Sequence, residues 1–417
     1  MIKIFPLSFS RFRIYIFCIS LALYELIAYA ASDVIMPSML RIADQLGGSP
    51  FDVSLSLNFY LLGGAVIPLI VGSLSDCYGR RKPLIAGCLL SALAFLITAF
   101  VGSINMFMIL RFIQGMGIGF IIAVGLPTIQ EIFTEKDAVR VLAAVSNVAI
   151  LSPLCGPFIG SVLLSYIDWR EIFLVMAAIT FLLSIGLWLS MPETVNIQRE
   201  DGRFIPRTPF SVRQIALDYK ALLGNSRFLR GGAILGFVGI PLISWIALSP
   251  VLLMHNLGRS NFEYSLWQLP VFGGLLVGNI ALSILCKRFS LTTILSGGVM
   301  AITGGIGIAL LSTLHTEAIA VLVSGLSMYA AGFGICSAIV YQQTLALSRG
   351  ANGKASALLG VLNVAIYAIG GVFLTVLGAG DNLKHFIMLV SIAAVIAVTL
   401  LFSLLVTSPV TTAESAS

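Results

Sequence analysis

Apolar residues run along this chain in long blocks, and polar residues collect in the gaps between them. Each block approaches the roughly 20 residues that carry a helix across a bilayer. Bounded by charges and turn residues, the blocks predict twelve helices, at about 14–40, 52–74, 83–102, 105–130, 137–166, 170–190, 228–254, 264–286, 291–312, 317–347, 353–378 and 384–407. One long polar segment, 191–227, divides them six and six. It contains QREDGRFIPRTPF, broken by proline and mixed in charge, and reads as a linker with a short amphipathic helix over Val212–Leu223. The expected architecture is an all-α membrane protein of twelve transmembrane helices in two six-helix halves, 1–190 and 228–417. A pseudo-two-fold axis along the membrane normal would relate the halves, with a cavity between them near the midplane.

Composition agrees with a membrane solvent. Of 417 residues, 58% are hydrophobic and 10% charged, against about 25% charged in soluble domains, and the mean hydropathy is +1.03. The net charge of +6 is explained by where the charges fall. Of 24 Lys and Arg, 19 belong to the N-terminus and the loops after helices 2, 4, 6, 8 and 10; Arg41, Arg170, Arg259 and Lys384 fall on the opposite side and Arg111 within a helix. The positive-inside rule then places both termini in the cytoplasm, and no nucleic-acid partner is expected. Lys3, Arg11 and Arg13 precede an apolar run too long for a cleavable signal. The six cysteines are scattered without a CxxC pair, and His255, His315 and His385 fall at helix ends without metal-ligand neighbours. No metal or cofactor is expected, with protons as the coupling ion.

Charges inside the spans narrow the chemistry. Among the acids only Glu25 and Asp33, both in the first helix, lie well within a predicted span; among the bases only Arg111 does. An ionised acid at the centre of a bilayer helix costs at least ~2.5 kcal/mol. Eight residues separate the two acids, about 12 Å along a helix, too far for a carboxylate dyad. Asp33 and Arg111 lie at nearly matched depths, 19 and 20 residues from the same membrane face. Two readings fit: a proton and cation site, or a fixed buried Asp33–Arg111 ion pair with Glu25 neutral or facing cytoplasmic water. Tyr29, Ser32, Asn147 and Trp245 are candidate cavity residues beside the acids, with Tyr24, Tyr329 and Tyr367 as further aromatic candidates.

Several motifs accompany these charges. GSLSDCYGRRKPL, Gly72 to Leu84, resembles the signature that the major facilitator superfamily carries between helices 2 and 3. LRFIQGMGIG, Leu110 to Gly119, resembles the helix 4 motif of drug/proton antiporters, with Arg111 as its buried arginine. SPLCGPFIG, Ser152 to Gly160, resembles the helix 5 antiporter motif, with Gly156, Pro157 and Gly160 in place and Pro153 at a position usually held by glycine. MPET, Met191 to Thr194, matches a common ending of helix 6. LYELIAYAASDVIMPSM, TIQEIF around Glu131, PLISWIALSP from Pro241 and FEYSLWQLPVFGGLLVGN from Phe262 resemble the MdfA type of multidrug/proton antiporter within that superfamily. The resemblance covers nearly the whole chain. It implies that Glu25 and Asp33 handle protons and cationic drugs, with Arg111 as their conformational partner. Gly72, Asp76, Gly79, Arg80, Arg81 and Glu131 would form a cytoplasmic latch.

The expectation is a drug/proton antiporter of the cytoplasmic (inner) membrane, exporting lipophilic cationic and neutral compounds by rocking of its halves. The alternatives are a proton-coupled uptake symporter or an exporter dedicated to one metabolite. No phosphate-binding loop of the form G-x-x-x-x-G-K-[ST] is present, so no ATP-driven pump is expected. No nucleophile–base constellation suggests an enzyme. One chain suffices for the fold, so a monomer among membrane lipids is expected.

Overall fold

The computed structural model describes residues 11–133, 135–196, 207, 211–314, 319–347 and 352–407. The spans are α1 (Phe12–Gln45), α2 (Pro50–Tyr78), α3 (Arg81–Thr98), α4 (Ile104–Ile132), α5 (Glu135–Leu163), α6 (Trp169–Ser190), α7 (Ser226–Asn256), α8 (Asn261–Leu285), α9 (Leu291–Leu314), α10 (Ile319–Ala346), α11 (Asn352–Val376) and α12 (Leu383–Thr407). Eleven of them are long and apolar enough to cross a membrane, and α5 carries the shorter apolar stretch Leu151–Leu163 among the described residues. A separate amphipathic helix, Val212–Leu223, lies between α6 and α7.

Local chemistry sets many of the helix starts. Ser49 with Asp52, Asp168 with Glu171, and Ser260 with Glu263 form capping boxes at the starts of α2, α6 and α8. Each satisfies backbone donors that a helix N-terminus leaves without partners. Prolines interrupt the spans where they fall. Pro127 has no N–H for the carbonyl four residues back, and α4 widens into a π turn over Ile121–Gly125.

Neighbour relations repeat with an offset of six helices. α1 packs on α5 and α6 as α7 packs on α11 and α12, and α2 packs on α4 as α8 packs on α10. The two bundles meet along α2–α11 and α5–α8, which the same offset exchanges. This is the two-fold arrangement expected of two six-helix halves. Large apolar side chains such as Phe100, Trp188 and Phe402 remain exposed on the outer surface, which in lipid needs no partner.

The sequence predicts an unbroken first helix over 14–40. The structure breaks it: α-helix ends at Asp33, a short 3₁₀ turn covers Met36–Ser38, and helix resumes over Met39–Gln45. Pro37 is the cause. It cannot donate to the carbonyl of Asp33, four residues earlier, and its ring crowds that carbonyl. The acid therefore sits at a helix C-terminus inside the span.

Candidate functional site

The break in α1 leaves carbonyls near its end without intrahelical donors, and side chains from three other helices gather on it. Val34 N–H takes the carbonyl of Ala30 at 2.8 Å. Arg111 on α4 donates Nη1–H to the next carbonyl, Ala31, at 3.0 Å. Tyr60 on α2 donates its hydroxyl to the carbonyl of Ala28, one turn earlier. On the other side of the break, the hydroxyl of Ser152 on α5 donates to Oδ2 of Asp33 at 2.6 Å.

Arg111 is fully buried and its guanidinium is held on all sides. Nε–H donates to Ser56 Oγ at 3.1 Å, and Nη1–H also reaches Gln114 Oε1 at 3.0 Å. The Tyr60 ring lies beneath the guanidinium carbon, 4.4 Å from its centroid, a cation–π contact that gains strength when desolvated. Gln114 passes the chain on to Thr98 Oγ1 at 2.7 Å, and Thr98 donates to the carbonyl of Ala94 on α3 at 2.6 Å. One hydrogen-bonded path thus runs from α3 through α4 to the end of the α1 helix. Among the described residues no ion pair joins Asp33 to Arg111; each has other partners. Their matched depth does place both at the same break.

The glycines of the two helix motifs make this convergence possible. A Cβ on Gly115 of α4 would collide with the carbonyl of Tyr60, so α4 lies against α2 backbone to backbone, and Arg111, one turn away, comes to rest over the Tyr60 ring. On α5, a Cβ on Gly156 would stand 2.6 Å from Cβ of Asp33, and one on Gly160 would collide with the carbonyl of Val34. The helix 5 motif therefore packs directly on the proline break, with Pro153 and Pro157 inside α5.

Glu25 lies two helical turns before the break. It is buried, and its Oε2 has no hydrogen-bond partner in the protein. Ser32 Oγ is likewise buried without a partner, and Tyr29 is half-buried between the two acids. Asn147 belongs to α5, but its side chain lies outside the described residues. Trp245 is wholly buried, packs on Phe386 of α12 at 5.8 Å, and leaves its Nε1–H without an acceptor. Tyr24 bonds Ser91 Oγ at 3.1 Å; Tyr329 and Tyr367 donate to the α7 carbonyls of Val238 and Leu235, at 2.7 and 3.4 Å.

A second cluster forms at the end of the bundle where α1 begins and α12 ends. Arg80, almost buried, bridges Asp76 at 2.7 Å and Glu131 at 2.9 Å. It also donates to Ser75 Oγ at 2.6 Å. Burial works against the Arg80 charge, but Glu131 and Asp76 outweigh it and hold its pKa above the ordinary value. Glu193 and Thr194, from the MPET segment, complete the cluster. The Glu193 carboxylate accepts the backbone N–H of Arg80 at 2.8 Å and of Arg81 at 3.3 Å, capping α3, while Thr194 donates to Glu131. Gly79 adopts φ 97°, where a side chain is strained, and a Cβ there would run into the Glu193 carboxylate. Arg81 turns away to the carbonyl of Trp188 at the end of α6. Gly72 faces open space, so packing does not explain it.

At the opposite end the two halves are joined directly. Ser161 Oγ and Ser265 Oγ stand 2.6 Å apart, with the carbonyl of Asn261 2.8 Å from Ser161 Oγ and that of Pro157 2.8 Å from Ser265 Oγ, so two hydroxyl protons are divided among three contacts. Phe158 packs on Phe262 beside them, ring centroids 5.6 Å apart. Among the described residues these are the direct hydrogen bonds between the halves, and all lie at the end opposite the start of α1.

Comparison with known proteins extends the picture. The chain is 37% identical over 359 residues to the Multidrug transporter MdfA of Yersinia pestis bv. Antiqua (strain Angola), covering 86% of each. It is 35% identical over 359 residues to the Multidrug transporter MdfA of Edwardsiella piscicida, again covering 86% of each. The fold is similar to the crystal structure of a D-xylose-proton symporter, with TM-score 0.68 and 14% identity over 93% of this chain and 97% of that one. The sequence profile described as Major Facilitator Superfamily matches residues 21–375. The chain, a multi-pass membrane protein with this helical architecture, belongs to the major facilitator superfamily.

Proposed function

We propose that the protein is a multidrug/proton antiporter of the cytoplasmic membrane, exporting lipophilic cationic and neutral compounds at the expense of the proton gradient. The observation that carries this reading is the broken first helix. Asp33 stands at a proline break, bonded to α5 through Ser152, while α4 holds the adjacent carbonyl of Ala31 through Arg111. Charge at Asp33 is thereby tied to the relative placement of three helices. The relatives named as multidrug transporters support the substrate class.

In this reading the halves 1–190 and 228–417 rock about the linker 191–227. The Ser161–Ser265 end is the closed one in this reading, and the buried acids exchange with the other side, taken as the cytoplasm from the loop charges. A carboxylate at Asp33 accepts from Ser152; the acid, once protonated, can donate instead. Substrate arriving from the cytoplasm displaces the proton, and Glu25, with an oxygen unpaired in the protein, offers a second carboxylate to a cation. The membrane potential supplies about 2.3 kcal/mol per charge per 100 mV. The Arg80 cluster acts as a latch within the first half, and a single chain performs the cycle.

Drug-dependent proton release from the purified protein tests this directly. Wild type is expected to release protons on addition of a lipophilic cation, and Asp33→Asn, Glu25→Gln or both to abolish the release. Full release in both variants overturns the site assignment. No release from wild type across a broad drug panel overturns multidrug export.

A further inference from the structure

The helix Val212–Leu223 in the linker has a docked face and a free face. Ile215, Asp218, Tyr219 and Leu222 face the protein. Tyr219 donates to the carbonyl of Leu69 on α2 at 2.9 Å, and Asp218 pairs with Lys354 on α11. The helix therefore touches both halves at once.

Its depth follows from the Leu69 contact. Leu69 lies nine residues from the Tyr78 end of α2, about 13 Å at 1.5 Å per residue. The 29 residues of α2 measure roughly 43 Å, against about 30 Å of hydrocarbon. With α2 centred, its end projects about 6 Å, and the Leu69 carbonyl lies about 7 Å inside the hydrocarbon edge. A tyrosine that reaches it places the linker helix at the membrane surface, not out in the water.

The free face has the pattern such a position selects. Val212, Ala216 and Leu223 fall within about 40° of one another round the helix, and all three are exposed, Val212 by 68% and Leu223 by 46%. Arg213 and Lys220 lie side by side about 70° further round. Both are exposed, and among the described residues neither has an ion-pair partner. An apolar strip bordering the protein, flanked by two unpaired cations, is the geometry of a helix lying in a lipid headgroup layer. We propose that Val212–Leu223 is a membrane-surface helix that binds anionic phospholipid, its strip seated among acyl chains and Arg213 and Lys220 on headgroup phosphates. Because the same helix bridges α2 and α11, the lipid contact acts where the halves are strapped together.

The test uses the full chain in nanodiscs of mixed phosphatidylcholine and phosphatidylglycerol, with bromines on the acyl chains of one lipid at a time. A Val212→Trp variant reports the nearest lipid; its four native tryptophans, measured in wild type, give the baseline. Brominated phosphatidylglycerol is expected to quench the added emission roughly fivefold more per lipid than brominated phosphatidylcholine, since one basic residue near an anionic surface contributes about that factor. The excess should fall toward one in Arg213→Gln with Lys220→Gln, an exposed pair whose loss leaves the docked face intact, and in high salt. Equal quenching by both lipids, unchanged in the double variant, overturns anionic recognition. Quenching by neither overturns the surface placement itself. Neither result depends on what the protein transports.

Discussion

Arg111 bonds the backbone carbonyl of Ala31 at 3.0 Å and leaves the carboxylate of Asp33, two residues on, to the hydroxyl of Ser152. The two charges share a place without sharing an ion pair, and this separates the effects of removing them. Asp33→Asn keeps an acceptor for Ser152 and breaks no salt bridge, so thermal unfolding should stay within about 1 kcal/mol of wild type while drug-dependent proton release is lost. Arg111→Met should cost about 3 kcal/mol or more, because it strips several buried acceptors of one charged donor. Arg111→Lys should recover only part of this, since an ammonium cannot match a planar fork with this spread of partners. Equal destabilisation by Asp33→Asn and Arg111→Met would mean that the pair is fixed after all.

The helix 5 motif offers a steric test of the same break. Alanine at Gly156 presses on Cβ of Asp33, and alanine at Gly160 on the carbonyl of Val34. Overpacking of this kind costs about 1–3 kcal/mol, and here α5 must also retreat from the proline break. Both variants should lower the unfolding temperature and weaken drug export more than their stability loss explains. Gly72→Ala is the control: its Cβ meets nothing within 4 Å, so stability should hold.

The spans were legible because apolar blocks of membrane length leave few alternatives, and α6, predicted at 170–190, appears as Trp169–Ser190. The linker helix was legible from amphipathic spacing, and Val212–Leu223 forms with those limits. Glu25, Asp33 and Arg111 stood out because charge inside a span is rare. The break at Asp33 did carry a local signal, a proline four residues after the acid, which the apolar run concealed. Tyr60, Ser56 and Gln114 carried none. Their role comes from α2 and α4 meeting through glycines, a contact between residues about fifty positions apart. Glu193 and Thr194 could be read as the end of a helix but not as partners of Arg80, because the fold alone closes α6 onto the α2–α3 turn.

The Arg80 cluster predicts an order of losses. Glu131→Gln leaves a nearly buried guanidinium short of its carboxylate, and hydrogen bonds to charged groups are worth about 1.5–3 kcal/mol. Glu193→Gln keeps one oxygen for the α3 N-terminus and loses the charge that favours the helix dipole, about 1 kcal/mol. Asp76→Asn should matter least, because its side chain is 43% exposed and solvent screens the pair. Thermal unfolding in detergent checks the order. Asp76→Asn ranking first would show that the exposed pair, not the Glu131 arm, holds the latch.

The strap between the halves is sensitive to acid. Lys354 beside Asp218 holds that carboxyl below its ordinary value. A lowered folded-state pKa gives a contribution that is complete above the unfolded value and lost as the pH falls through the folded one. Docking of Val212–Leu223 should therefore be constant from neutral pH down to the usual carboxylate range and loosen below it. Asp218→Asn should show the loosened state at neutral pH, and so should Lys354→Met. A spin label on the linker helix reads its mobility. A loosening already complete near pH 6 would assign the acid sensitivity to another group.

The serine contact at the far end makes the rocking of the halves accessible to a chemical lock. Ser161 Oγ and Ser265 Oγ are 2.6 Å apart, so their Cβ atoms lie close to the separation a disulfide requires, about 3.5–4.5 Å. With exposed Cys155 and Cys286 replaced by serine, Ser161→Cys with Ser265→Cys should cross-link under mild oxidation. The cross-link would hold shut the end away from the termini. Export should stop on oxidation and return with reductant, while each single cysteine variant is indifferent to both. If the halves rock, binding of a lipophilic cation should survive in the oxidised protein, because the cross-link leaves Glu25 and Asp33 untouched. Export that continues through the cross-linked form would require a route past Asp33 that does not part α5 from α8, and rocking of the halves would then be the wrong description of the cycle.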